Sequence, residues 1–122
     1  MNHCRQMNQQ LNIEKYRHDL EIIRLTADQI IKDFELFGRE IKFSGNELTA
    51  YEELKNQIAP VLAELYQNKA STFQSLLYRI DVSEKKFREL LNESAKTDFK
   101  EALAEAIIQR EFQKVLTRKF FS

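Results

Sequence analysis

From Ile13 the apolar residues of this chain fall alternately three and four apart: Ile13, Tyr16, Leu20, Ile23, Ala27, Ile30, Phe34 and Phe37. That spacing is the seam of an amphipathic helix and predicts one over residues 12–37, stopped by Gly38, which can take the left-handed conformation that ends a helix. Leu11, Ile22, Leu25 and Leu36 lie roughly opposite the seam. A single neighbour would not cover both faces, so the helix is expected to be central or to share a face with a partner.

Residues 39–46, REIKFSGN, break the period and read as a loop with a short extended piece; Ile41 and Phe43 alternate with charge and are placed to tuck under the helices. Asn46 is a good N-cap for a second helix over 47–67, with Tyr51, Leu54, Ile58, Val61, Leu62 and Leu65 on one stripe. Pro60 lies on the polar side of that stripe. The apolar phase agrees on both sides of it, which predicts one kinked helix rather than two.

Two short helices follow, 72–80 with Phe73, Leu76, Leu77 and Ile80 inward, and 84–93 with Phe87, Leu90 and Leu91 inward; Ser83 is placed to cap the second. Thr97 or Asp98 caps a last helix over 98–120. Its apolar face changes near Ile107–Ile108, from Phe99, Ala102, Leu103 and Ala106 to Phe112, Val115, Leu116 and Phe120. The expected fold is all-α: a single-domain helical bundle of three long helices and a pair of short ones over residues 11–122, preceded by a flexible polar leader at 1–10.

Composition supports helices and narrows the chemistry. Two Gly and one Pro in 122 residues leave little material for tight turns or phosphate-cradling loops. Lys and Arg number 19 against 19 Asp and Glu, so no global field draws the chain to nucleic acid or an anionic surface. Cys4 is the single cysteine, which excludes an internal disulfide and a cysteine-rich zinc site. No apolar run is long enough for a membrane span or a secretory signal, and a soluble cytoplasmic protein with no membrane insertion is expected.

Candidate catalytic groups are sparse. His3 and His18 lie off the seam, no Glu-x-x-His occurs, and Glu14, Glu21, Glu35, Glu64, Glu101 and Glu105 read as solvated charges. The chain is therefore expected to be non-enzymatic, with no catalytic residue, cofactor or metal.

The stretch LLYRIDVSEKKFRELLN, residues 76–92, resembles the helix-turn-helix of bacterial regulators. Ile80 stands for the end of the first helix, Val82-Ser83 for the turn, and Phe87, Leu90 and Leu91 for the core face of the second. The resemblance implies nucleic-acid contact through Arg79, Lys85, Lys86 and Arg88. Asp81 stands where the motif favours Gly, and Leu77 where it favours a small residue; Asp81, Glu84 and Glu89 balance most of the local positive charge.

Arg110, Lys114 and Arg118 recur every fourth residue as a basic ridge, read as lying opposite the apolar stripe of the last helix, with Phe120-Phe121 at its tip. Together with Leu11, Ile22, Leu25 and Leu36 they form the candidate interaction surface. The first expectation is thus a protein–protein interaction module of adaptor, regulatory or assembly type, working on a protein partner or as a homo-oligomer such as a homodimer. The alternative is a nucleic-acid-binding protein using residues 79–92.

Overall fold

The structure, a computed structural model, describes residues 19–93 and 98–121, the last by its backbone alone. The leader, Leu11, Ile13, Tyr16, Thr97, both histidines, Cys4 and Glu14 lie outside the described residues. The regular secondary structure of the described residues is all helix, with no strand. None of their helices is long and apolar enough to cross a membrane.

The first described helix, α1, spans Leu20–Glu35; the Asp19 carboxylate caps it by accepting from the N–H groups of Glu21 and Ile22. Gly38 ends it at φ +74°, where its N–H donates to Glu35 O and that of Arg39 to Phe34 O. These paired bonds satisfy carbonyls the helix leaves open.

The loop that follows is tied down by side chains standing in for a sheet neighbour. Gln57 accepts from the backbone N–H of Lys42 at 2.8 Å and donates to its carbonyl at 2.7 Å. Arg39 donates twice to Glu64 Oε1, at 3.2 and 2.8 Å. Ile41 is thereby held in the core, as its alternation with charge predicts.

Asn46 caps as expected, accepting from Leu48 N–H, but what it starts is a 3₁₀ turn, Glu47–Thr49, leading into α2 at Ala50–Asn68. Pro60 is exposed inside that one helix. α3, Ala70–Ile80, and α4, Glu84–Glu93, are joined by a sharp turn, and α5 runs Phe99–Phe121. α5 is the centre of the packing: its largest contacts are with α2 and α1, and α3 and α4 also touch it.

Two clusters of buried side chains follow from this. The larger joins all five helices and includes Phe34, Leu62, Leu65, Leu76, Leu103 and Ile107. The smaller, Ile22 with Val115 and Leu116, joins only α1 and α5, flanked by Leu25 and Phe112. The predicted change of face along the last helix is the passage from one cluster to the other. Four rings, Tyr66, Phe73, Phe87 and Phe99, pack edge-on or tilted with centroids 5.2 to 6.1 Å apart and pin α4 to its neighbours.

The buried face of α1 differs from the predicted seam. Leu20 is half exposed, while Ile22, Thr26, Ala27, Ile30, Asp33 and Phe34 are buried. Thr26 tolerates burial because its hydroxyl donates to Ile22 O at 2.8 Å, within its own helix. Asp33 requires partners from elsewhere.

Candidate functional site

The corner between α3 and α4 is built on Asp81, whose φ of 74° places it in the left-handed region. Its N–H donates to Tyr78 O at 3.1 Å and Leu77 O at 2.9 Å, and the N–H of Val82 reaches back to Leu77 O at 2.9 Å. The same helix ending that Gly38 provides for α1 is here made by an aspartate, one of the few side chains that tolerates it. Ser83 then caps α4, its Oγ accepting from Lys86 N–H at 3.1 Å. Leu77, bulky for a recognition turn, is buried in the main cluster.

The basic ridge of α5 fastens this corner. Arg110 donates to both the carboxylate and the backbone carbonyl of Asp81. Lys114 directs its ammonium at the last carbonyls of α3, Ile80 O at 3.2 Å and Arg79 O at 3.5 Å. A cation placed there complements the negative end of the helix. Arg118 donates to Gln29 on α1 at 3.2 Å, and Lys119 meets Glu21. The expectation that the ridge faces away from the packed side therefore fails: α3 and α1 end or pass beneath it, and the long side chains lean onto them.

Beneath the ridge lie two buried carboxyl groups. Asp33, 1 % exposed, receives Arg79 Nε from α3 at 3.2 Å and Gln29 Nε2 at 3.1 Å, both on Oδ1. Glu111, fully buried on α5, places its carboxyl beside that of Asp33, whose charge acts on it. Lys114 Nζ is 3.3 Å from Glu111 Oε1 but points toward the α3 carbonyls. Asp33 Oδ2 and both oxygens of Glu111 consequently lack a donor.

Burial, then the facing Asp33 carboxylate, push the Glu111 carboxyl up to about 8, against a smaller opposing pull from Lys114. Neither residue stood out among the sequence candidates, which were sought as metal-binding glutamates. The available signal was phase: Glu111 falls four residues after Ile107 and four before Val115, and Asp33 three after Ile30 and four before Phe37. Each is a carboxylate on a stripe that is otherwise apolar.

The other predicted residues are dispersed. Of the nucleic-acid candidates, Arg79 is engaged with Asp33, and Arg88 lies 3.5 Å from Glu84 one turn away. Lys85 and Lys86 are exposed on α4, among equal numbers of acidic and basic residues: Glu84, Glu89 and Glu93 against Lys85, Lys86 and Arg88. Of the interaction candidates, Ile22 is in the core between α1 and α5, which corrects its placement on an outer face.

Leu25 is half buried and lines, with Val115, Lys32 and Arg118, a shallow open groove of about 410 Å³ between α1 and α5. Leu36 is 62 % exposed and Phe120 partly so, while the side chain of Phe121 lies outside the description. Larger exposed apolar side chains occur where the periodicity did not single them out: Leu48 on the 3₁₀ turn and Tyr78 on α3, each 88 % exposed. Among the described residues no three His, Cys, Asp or Glu side chains gather as metal ligands would. Comparison with protein-family models, curated proteins and solved structures finds no match for the chain.

Proposed function

We propose that this chain is a single helical bundle of three long and two short helices that acts as a protein–protein interaction module in the cytoplasm, without catalysis of its own. The observation that carries the proposal is the exposure of Leu36, Leu48 and Tyr78 on a framework whose other large apolar side chains are mostly buried. Tyr is well suited to such contacts, because it offers a large apolar face with a polar tip at low entropic cost. The opposed charges of α4 and the engagement of Arg79 and Arg88 favour a protein partner over nucleic acid.

A photo-crosslinking residue placed in turn at positions 36, 48 and 78 tests this, with exposed Lys85 as the control position. A discrete adduct from the apolar positions and none from the control is expected, either to a second copy or to one defined partner. No adduct at any of the three, with a monomer at high concentration, would sink the proposal. Salt-sensitive binding of duplex DNA that weakens in a Lys85→Gln/Lys86→Gln variant would replace it with the nucleic-acid alternative.

A further inference from the structure

We propose that Asp33 and Glu111 hold a single proton between them and that loss of this proton loosens the α3–α4 corner from α5, so that the corner is a proton-controlled latch. The need for the proton is geometric. With both groups ionised, three buried oxygens have no donor and two negative charges face each other out of water. A neutral Glu111 removes the charge clash and supplies a donor: its O–H donates to Asp33 Oδ2, Asp33 Oδ1 keeps Arg79 and Gln29, and the remaining Glu111 oxygen is left beside Lys114. The raised proton affinity of Glu111 agrees with this arrangement.

The link to the corner runs through Lys114. Its ammonium stands 3.3 Å from Glu111 Oε1 and 3.2 Å from Ile80 O. When the proton passes from Glu111 to solvent, the new carboxylate competes for that ammonium at closer to full charge, and the carbonyls ending α3 lose it. Arg79, already on Asp33, is the other cation within the cluster. Of the polar ties between the corner and α5, the Arg110–Asp81 pair then remains.

Several charges on the remaining elements have partners of their own or face solvent. On α2, Glu64 pairs with Arg39, Lys55 with Glu101 and Glu105, and Glu53 with Ser44 and Thr49. On α4, Arg88 pairs with Glu84, and Lys86 borders the outer side of the turn. On the rest of α1, Lys32 is exposed and Glu21 meets Lys119.

The test uses the full chain, labelled with ¹³C at glutamate side-chain carboxyls, with amide exchange read in parallel over 80–93. One carboxyl is expected to titrate far above the others and to vanish from the spectrum of Glu111→Gln. Across the same pH window, roughly 6 to 9, exchange at the corner corrected for its intrinsic pH dependence should rise severalfold in the wild type and stay flat in Glu111→Gln. In Lys114→Met the carboxyl should still titrate high while the pH-linked rise is lost, which keeps the latch testable if Glu111→Gln does not fold. A Glu111 carboxyl titrating with the ordinary ones would overturn proton sharing. A high titration with no change in corner exchange, or with the same change in Lys114→Met, would overturn the latch.

Discussion

Arg110 of α5 grips Asp81, the one residue other than glycine that the described backbone holds at positive φ. One side chain thus serves two purposes at the corner: it tolerates the left-handed turn, and its carboxylate anchors the turn to the central helix. Substitutions separate these roles. Asp81→Ala loses both and should destabilise by about 1–2 kcal/mol. Asp81→Gly loses the ion pair but relaxes the backbone by about 1 kcal/mol, and should be close to neutral. Urea denaturation of the two variants distinguishes them, and equal losses would contradict a role for the backbone.

Stability should respond to pH through Glu111 in an unusual direction. Its carboxyl is raised from 4.5 to about 8 in the folded chain, so between these values the folded state binds more proton than the unfolded one. Stability from this group is then full below 4.5 and falls as pH rises through the window, by at most about 1.4 kcal/mol per pH unit. Asp81 and Glu53 work in the opposite sense: Arg110 holds the first, and the hydroxyls of Thr49 and Ser44 the second, below the usual carboxylate range. Their contribution is present above that range and lost as pH falls through it. The wild type should therefore be most stable on the mildly acidic side of neutrality, and Glu111→Gln should flatten the decline toward alkaline pH; urea midpoints at three pH values check both.

Phe34 and Leu36 are two residues apart and should behave as opposites. Phe34→Ala empties a fully buried site where the helices meet and should cost about 3–5 kcal/mol. Leu36→Ala, at an exposed position just past the end of α1, should change stability by no more than about 0.5 kcal/mol. A large loss at position 36 in the isolated chain would show that this side chain belongs to the core.

Pro60 sits in the interior of α2 with its ring toward solvent. Replacing it by Ala restores a backbone donor and removes a clash, a gain of up to about 3 kcal/mol offset by about 1 kcal/mol of added freedom in the unfolded chain. Pro60→Ala should thus raise the thermal midpoint. A lowered midpoint would mean that neighbouring helices are fitted to the helix shape this proline imposes.

Much of the helical layout was legible because the relevant residues act locally. Gly38, Asn46, Ser83 and the uninterrupted phase around Pro60 speak of their own few neighbours: Gly38 ends α1, Asn46 and Ser83 cap, and one helix runs through Pro60. What could not be read depended on partners distant in sequence. Asp33 falls in phase with apolar neighbours, but the group that steadies a carboxylate there, Arg79, stands on another helix. Arg110 and Lys114 look like a surface ridge until the end of α3 is brought under them, and nothing within α5 says that it will be. The acidic pair is the extreme case, since each carboxyl gains its meaning from the other helix.

Gln57 gives the loop over α2 a dependence on one nitrogen atom. Its amide offers Lys42 an acceptor and a donor at once, as a neighbouring strand would. Deamidation replaces that nitrogen with oxygen, leaving an acidic side chain opposite the Lys42 carbonyl, so one of the two bonds becomes a repulsion. Chemical ageing at this position should be visible as a one-dalton heavier species, on the order of one hydrogen-bonded contact weaker, in which residues 39–46 are cut preferentially by protease.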